Sequence, residues 1–473
     1  MNIDINDVRV RFAPSPTGFL HVGGARTAIF NWLFARHYNG VFLVRIEDTD
    51  EARSDQQMVD AIFDGLNWLG IQSDEPPIFQ SDRRQEYINA VEKLVASGHA
   101  FPCYCHAKEK QDKQYQEIER CPCRNYTLEQ RQALDDQHVS RAIRFLVADG
   151  ATTYTDLVHG SLTINHKEIE DFVILRSDGT PTYQLAVVID DIAMKITHVI
   201  RGDDHISNTP KQILLYNALN KTAPTFAHVP LILGPDKKRL SKRHGATKIN
   251  EYQDQGFLAE ALFNYLTLLG WNPGNDQEYI PRDELVQMFS IERVNPKSAI
   301  FDDQKLQWLN AQYISRMDDT ALAELIKPLI IQHRLIRDVD FDINQTIPIV
   351  SLLKTRMKLL TDFISLGSYF FNDPGGYDQK AQDKHWHGDN VAEIISDIIT
   401  ILDKLDKFDV QQLEAEIREY AIDHGFGLGA VIHPIRLALT GSGASPGMFE
   451  VIALLGKPVV LRRLKKALNV LKA

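Results

Sequence analysis

The sequence predicts an α/β protein in which a parallel-sheet domain carries an inserted α+β segment and is followed by an all-helical domain. Three observations lead there. Strand and helix patterns alternate through the first hundred residues, the alternation breaks at about Phe101 and resumes near residue 196, and from about Asp318 every periodic segment is helical. At 473 residues with 44% hydrophobic content, the chain is long enough for two to four cores. The expected domains are 1–100 and 196–318 for the two halves of the sheet domain, 101–195 for the insertion and 319–473 for the helices.

Val8, Val10 and Phe12 alternate with Arg9 and Arg11 as a short strand. Residues 25–38 have helical periodicity and "VFLVRI" reads as a buried strand, which completes a βαβ unit. Helical patterns follow at 56–69 and 83–96, the second closed by Gly98. Within and just beyond the insertion, "EDFVILRSDGTPTYQLAVVIDD" reads as β-rich, and "THVIR" and "AHVPLIL" then bracket a helix starting near Ser207. Past Asp318, "TALAELIKPLIIQHRL", "VSLLKTRMKLLTDFISL", "VAEIISDIITILDKL" and "VQQLEAEIREYAIDHG" are read as helices. Ser445-Pro446 fits an N-cap with proline at the first helical position, and "VVLRRLKKALNVLKA" is a basic amphipathic helix.

A net charge of -11 argues against a protein that coats nucleic acid indiscriminately, while leaving room for a local basic face. "MNIDINDVRV" lacks the basic start and apolar stretch of a secretion signal, and no apolar run is long enough to cross a bilayer. All four cysteines fall between Cys103 and Cys123 as two C-x-C pairs, unlike a spread disulfide network, so a cytoplasmic, reducing compartment is expected.

The chemistry concentrates in two places. In "RFAPSPTGFLHVGGART" the prolines end a strand, and Gly23 and Gly24 open a helix whose N-terminus favours negative charge, with His21 just before them. Alone, H-x-G-G is more often a surface turn. "GPDKKRLSKRHGA" follows another strand and packs five basic residues around Ser241, and alone it would be a solvated charged loop. Together the two segments suit a composite triphosphate cradle, one holding the nucleotide and the other neutralising departing pyrophosphate.

"HVGG" and "RLSKR" resemble the two signature motifs of class I aminoacyl-tRNA synthetases, and "FLVRIEDTD", "TPTYQLAVVIDD", "RGDDHISNTPKQ" and "GASPGMFEVIALLGKPVVLRRL" are similar to bacterial glutamyl-tRNA synthetases. Gly24 stands where the first motif usually ends in histidine. Arg239 and Leu240 stand for the usual lysine and methionine of the second.

The resemblance implies a Rossmann-like catalytic domain, an inserted domain that binds the tRNA acceptor end and a helical anticodon-binding domain. It implies attachment of L-glutamate to its tRNA through an adenylate formed from ATP with Mg2+. It assigns His21, Lys242, Thr17 and Ser241 to the triphosphate and its transition state, with Gly23, Gly24, Asp204, Arg239 and Leu240 beside the nucleotide. His21 and Lys242 carry more of the expectation than the altered positions next to them. Glutamate, with two carboxylates and one ammonium, is assigned to Arg11, Ala13, Ser15, Glu47, Tyr183 and Arg201. Which arginine takes the side-chain carboxylate is left open.

Cys103, Cys105, Cys121 and Cys123 offer four thiolates for a structural zinc ion, with reduced thiols as the alternative. Relatives that bear zinc end this motif in C-x-H, where this chain has Asn125, so Cys121 is expected to replace the histidine. Arg356, Lys358, Arg462, Arg463, Lys465 and Lys466 are candidate phosphate contacts in the helical tail. A monomer is expected. A shorter glutamylating paralogue would lack that tail, glutaminyl-tRNA synthetase would carry β-barrels there, and neither a small-molecule nucleotidyltransferase nor a zinc-organised RNA-binding protein explains all the motifs.

Overall fold

The computed structural model describes residues 7–49, 54–105, 120–240, 248–388 and 390–472. The chain divides into two compact units, residues 1–254 with 259–306, and residues 255–258 with 307–473.

In the first unit, strand β1 (Arg9–Phe12) runs into helix α1 (Val22–His37), which returns the chain to a parallel β2 (Val41–Ile46). Helix α2 (Gln56–Trp68), capped by Asp55, leads to β3 (Ile78–Phe79), parallel on the far side of β2. Helix α3 (Arg84–Ala96) then enters the insertion, where β4 (Ala100–Cys103), α4 (Leu128–Asp136) and β5 (Ala142–Phe145) precede the hairpin β6 (Ala151–Asp156) and β7 (Gly160–Asn165). β8 (Val173–Leu175), α5 (Tyr183–Ala193), β9 (His198–Gly202), α6 (Thr209–Ala218) and β10 (Thr225–Val229) bring the chain back to parallel pairing, β9 with β10.

β9 lies beside β1, where Thr197 N donates to Arg9 O at 2.9 Å and Arg9 N donates to Thr197 Oγ1 at 2.8 Å. The strand order is therefore β3-β2-β1-β9-β10, with the chain building outward from β1 on one side and from β9 on the other. At such a switch point the crevice beyond the strand ends is the natural place for a ligand. The antiparallel sheet β4-β5-β8 stands apart in the insertion, over a core that includes Tyr87, Phe145, Phe172 and Leu185. The β6–β7 hairpin joins the main sheet through Asp156, opposite Phe226 of β10.

"TPTYQLAVVIDD" is not β-rich: α5 occupies most of it, burying Leu185, Ala186, Val187 and Val188, so tertiary packing overrides the strand preference of its β-branched run. Strand β1 is a buried strand, with Arg11 buried alongside Val10 and Phe12, as in a parallel strand covered on both faces. Helix α1 begins at Val22 with His21 as its N-cap, so it opens at the glycines, ahead of the periodic run from residue 25.

The second unit is helical, around a core containing Ile394, Ile398, Leu413, Ile435, Val451 and Leu464. "VSLLKTRMKLLTDFISL" is interrupted: one helix ends at Leu353, and another starts at Asp362, whose carboxylate accepts from Lys358 N and Leu359 N at 2.8 and 2.9 Å. Ser445 is not an N-cap. Its hydroxyl accepts from Arg436 Nε at 3.0 Å, and the helix begins at Met448 after Gly447. Arg463 is not placed to meet a phosphate. It is 3% exposed and clamps Asp373 Oδ1, Leu439 O and Asn372 O within the fold.

Candidate active site

A cleft of about 770 Å³ opens at the switch point, and Arg11, Ala13, Ser15, Thr17, His21, Gly23, Gly24, Glu47, Tyr183, Arg201, Asp204, Arg239 and Leu240 all line it. Ser241 and Lys242 lie outside the described residues. The ends of the segment that contains them both reach the cleft: Leu240 N donates to Ile232 O at 3.1 Å, Lys248 bridges to His21, and Ile249 N donates to Leu20 O at 3.0 Å.

The first wall is built by α1. Asn31 Nδ2 donates to Ile200 O at 3.0 Å, and buried Arg26 donates to Leu269 O at 3.1 Å and to Pro230 O, which fixes the helix over the sheet. At its start, Gly24 N donates to His21 Nδ1 at 3.1 Å. Partial burial by the cleft walls, then Arg239, lower the basicity of this imidazole, and Asp204 opposes them. A neutral ring whose Nδ1 accepts must carry its proton on Nε2, so His21 is a neutral donor. A Cβ at Gly23 would come within 3.2 Å of His21 Cε1 and 3.3 Å of Nδ1, so any larger residue there would press on the ring. Arg239 Nη2 is 3.7 Å from Asp204 Oδ2 and two-thirds exposed.

The second wall is a buried charge network that sequence reading did not find. Arg11 donates through Nε and Nη2 to Asp191 at 3.0 and 3.3 Å. Arg45, fully buried, donates to Asp191 Oδ1 at 2.5 Å and to Glu47 Oε1 at 3.0 Å, with its Nε 3.9 Å from Asp190 Oδ2. Asp190 also takes bonds from Gln80, Arg83 and Tyr87 at 2.7 to 3.1 Å. Burial alone would raise Asp191, but Arg11 and Arg45 hold it below the ordinary carboxylate range. Burial does raise Glu47, against the pull of Arg45 and Arg11.

Arg201 differs from Arg11. It is 6% exposed, and its partners are His228 Nε2 at 3.2 Å, Tyr183 OH at 3.4 Å and Thr209 Oγ1 at 2.7 Å, all of them neutral groups. Among the described residues no carboxylate lies within ion-pair distance of it. Burial accordingly lowers its basicity. A buried cation without a counter-charge at the edge of a cleft is costly and would be stabilised by an anionic partner.

Arg45, Asp156, Asp190, Asp191, His205, Thr209 and His228 were missed. Asp191 and Asp190 sit inside the quoted "TPTYQLAVVIDD" and His205 inside "RGDDHISNTPKQ", but nothing local marks them as buried or as lining the cleft.

In the insertion, the Sγ atoms of Cys103, Cys105, Cys121 and Cys123 all lie within 4.8 Å of one another, with Cys103 3.4 Å from Cys121 and Cys105 3.5 Å from Cys123. A tetrahedral ion at ~2.3 Å from each sulfur needs ligands about 3.8 Å apart, so the set fits zinc. Arg144 Nε donates to Cys103 Sγ at 3.2 Å, and Asp171 Oδ2 accepts from Cys121 N at 3.3 Å, which supports the ligands from behind.

Residues 7–308 match the family of class I tRNA synthetases (E and Q), catalytic domain, and residues 321–468 match the anticodon binding domain family. The chain is 42% identical over 464 residues to the glutamate–tRNA ligase of Thermodesulfovibrio yellowstonii, covering 98% of this chain and 99% of the relative. It is 44% identical over 477 residues to that of Geobacter sulfurreducens, covering 99% and 100%. Among solved structures, it is similar to the glutamate tRNA ligase of Elizabethkingia meningosepticum in complex with its amino acid, at 31% identity and a TM-score of 0.90, covering 98% of this chain and 99% of the other.

Proposed function

The chain belongs to the class I glutamate–tRNA ligases, and from that membership we propose that its cleft joins L-glutamate to the 3' end of the cognate tRNA in two steps. The glutamate α-carboxylate attacks the α-phosphorus of ATP and releases pyrophosphate. The terminal ribose hydroxyl of the tRNA then attacks the mixed anhydride. No protein nucleophile is needed, so catalysis is positioning and charge stabilisation.

Glu47 pairs with the substrate ammonium, and Arg201 takes the side-chain carboxylate, which supplies the counter-charge it lacks. Arg11 borders the same pocket, with Asp191 holding its Nε and Nη2. Ala13, Ser15 and Tyr183 complete the walls around glutamate. Glutamine would leave Arg201 buried and uncompensated, so it should be rejected strongly without an editing site.

His21 donates its Nε2 proton to a phosphate oxygen while Thr17, Gly23 and Gly24 admit the nucleotide. Ser241 and Lys242 stabilise the departing pyrophosphate, with Asp204, Arg239 and Leu240 beside it. Mg2+ bound to ATP spreads the phosphate charge when present. Zinc held by the four cysteines organises the insertion and takes no part in the chemistry. The helical unit binds the anticodon arm, and the enzyme acts as a cytoplasmic monomer. Among the described residues no helix is long and apolar enough to cross a membrane.

Buried Arg201, with no carboxylate in ion-pair distance among the described residues and in one cleft with Glu47 and the start of α1, is the observation that supports this reading. ATP–pyrophosphate exchange measured with each amino acid, with and without tRNA, tests it. Exchange with glutamate that depends on tRNA is expected; exchange with another amino acid, or none under any condition, refutes it. His21→Ala and Lys242→Ala should each slow adenylate formation by ~100-fold or more with tRNA binding intact.

A further inference from the structure

Arg201 is held by a chain of hydrogen bonds that starts at a buried carboxylate. Asp156, 1% exposed, ends β6 in the inserted segment and accepts from the backbone N–H groups of Val158, His159 and His228 at 2.9, 3.0 and 3.1 Å. Its Oδ2 is 2.6 Å from His228 Nδ1. Burial lowers the basicity of His228 despite Asp156, and an ionised Asp156 can only accept. The ring is therefore neutral with its proton on Nδ1. Its Nε2 is left as an acceptor, and Arg201 Nε and Thr209 Oγ1 stand 3.2 and 3.0 Å from it. Thr209 Oγ1 accepts from Arg201 Nη2, while Tyr183 OH accepts from Nη1 and lies 3.0 Å from His205 Nδ1. The partners that contact Arg201 are neutral, so they orient the guanidinium without cancelling its charge.

We infer that Asp156 and His228 are positioning residues for the amino-acid substrate, which set the plane of the Arg201 guanidinium so that its fork meets a carboxylate squarely. A guanidinium binds a carboxylate well only when the two are nearly coplanar, so the tautomer of His228 acts on substrate affinity through Arg201. The inference rests on the reading that Arg201 takes a carboxylate of glutamate.

Asp156→Asn tests it with little change of shape. With the amide oxygen in the place of Oδ1, kept by the N–H groups of Val158 and His159 and 3.3 Å from His228 N, the amide N–H takes the place of Oδ2 and faces His228 Nδ1, drives the proton to Nε2 and sets it against Arg201 Nε–H. The expected result is a KM for glutamate raised about tenfold or more, with KM for ATP and for tRNA within about twofold of the parent. His228→Gln retains an acceptor for Arg201 and should lie nearer the parent than His228→Leu, so this pair decides the matter if Asp156→Asn fails to fold. Arg201→Gln is measured alongside. If it raises KM for glutamate while Asp156→Asn and His228→Leu fold and do not, the positioning inference falls alone. If Arg201→Gln leaves KM for glutamate unchanged, the assignment of Arg201 falls and takes this inference with it. Equal losses in kcat and in all three KM values would mark a general structural defect and overturn the positioning role.

Discussion

Replacing Arg45 by methionine removes the charge that joins three carboxylates. Arg45 is fully buried and lies 2.5 Å from Asp191, 3.0 Å from Glu47 and 3.9 Å from Asp190. Asp191 would keep Arg11, and Asp190 would keep Arg83 at 2.7 Å. Glu47 would have no cation within ion-pair distance among the described residues. Truncating one partner of a buried pair costs about 3–5 kcal/mol, which at roughly 2 °C per kcal/mol for a unit of this size is a fall of about 6–10 °C in Tm. The variant can limit that cost by protonating Glu47, whose carboxyl burial already pushes up. Its folded state then holds a proton that the unfolded chain releases, so stability relative to the parent falls as pH rises, by up to about 1.4 kcal/mol per pH unit. Calorimetry of both proteins from pH 6 to pH 8 reads the shift and its slope, and pyrophosphate exchange reads KM for glutamate, which should rise because a protonated Glu47 cannot pair with an ammonium. A variant melting within 2 °C of the parent at both ends of the range (roughly the effect of 1 kcal/mol), with unchanged KM, would refute the reasoning.

Gly23→Ala puts a Cβ 3.2 Å from the His21 ring, which must move by a few tenths of an ångström; adenylate formation should drop ~10-fold or more while KM for glutamate holds, and parent-like exchange kinetics would contradict this. Elemental analysis should find one zinc per chain, lost along with thermal stability in Cys121→Ser; a parent protein purified without metal and equally stable would count against the site. His198, against Phe34, has its imidazole pushed down by burial to about 4. Because the unfolded chain binds this proton from about pH 6.5 downward, the native state loses stability as pH falls from there toward 4, and His198→Leu should flatten that part of a Tm-against-pH curve. Parallel curves for the two proteins would dismiss it.

What could be read from the chain alone was what lies close together in it. The strand–turn–helix around His21 announces itself through prolines, glycines and a change of period within about twenty residues. The four cysteines fall within a similarly short span. Asp156 and His228 are 72 positions apart and Arg45 and Asp191 are 146 apart, and each alone looks like an ordinary polar residue on a strand or helix. The helix Tyr183–Ala193 was misread for a related reason: its valines favour strands locally, and only the core against which Leu185 and Val188 pack decides otherwise. Arg463 shows the converse error, a charge on an amphipathic helix that faces inward because Asp373 and two backbone carbonyls await it.

The carboxylate of Asp156 comes from the inserted segment, yet the imidazole it grips belongs to the parallel sheet. The segment is therefore no cassette. A chimera that exchanged it for a foreign one, or a deletion that closed the sheet without it, would strand His228 with a free choice of tautomer in a dry interior. Any graft at this locus has to bring its own acid to the same corner.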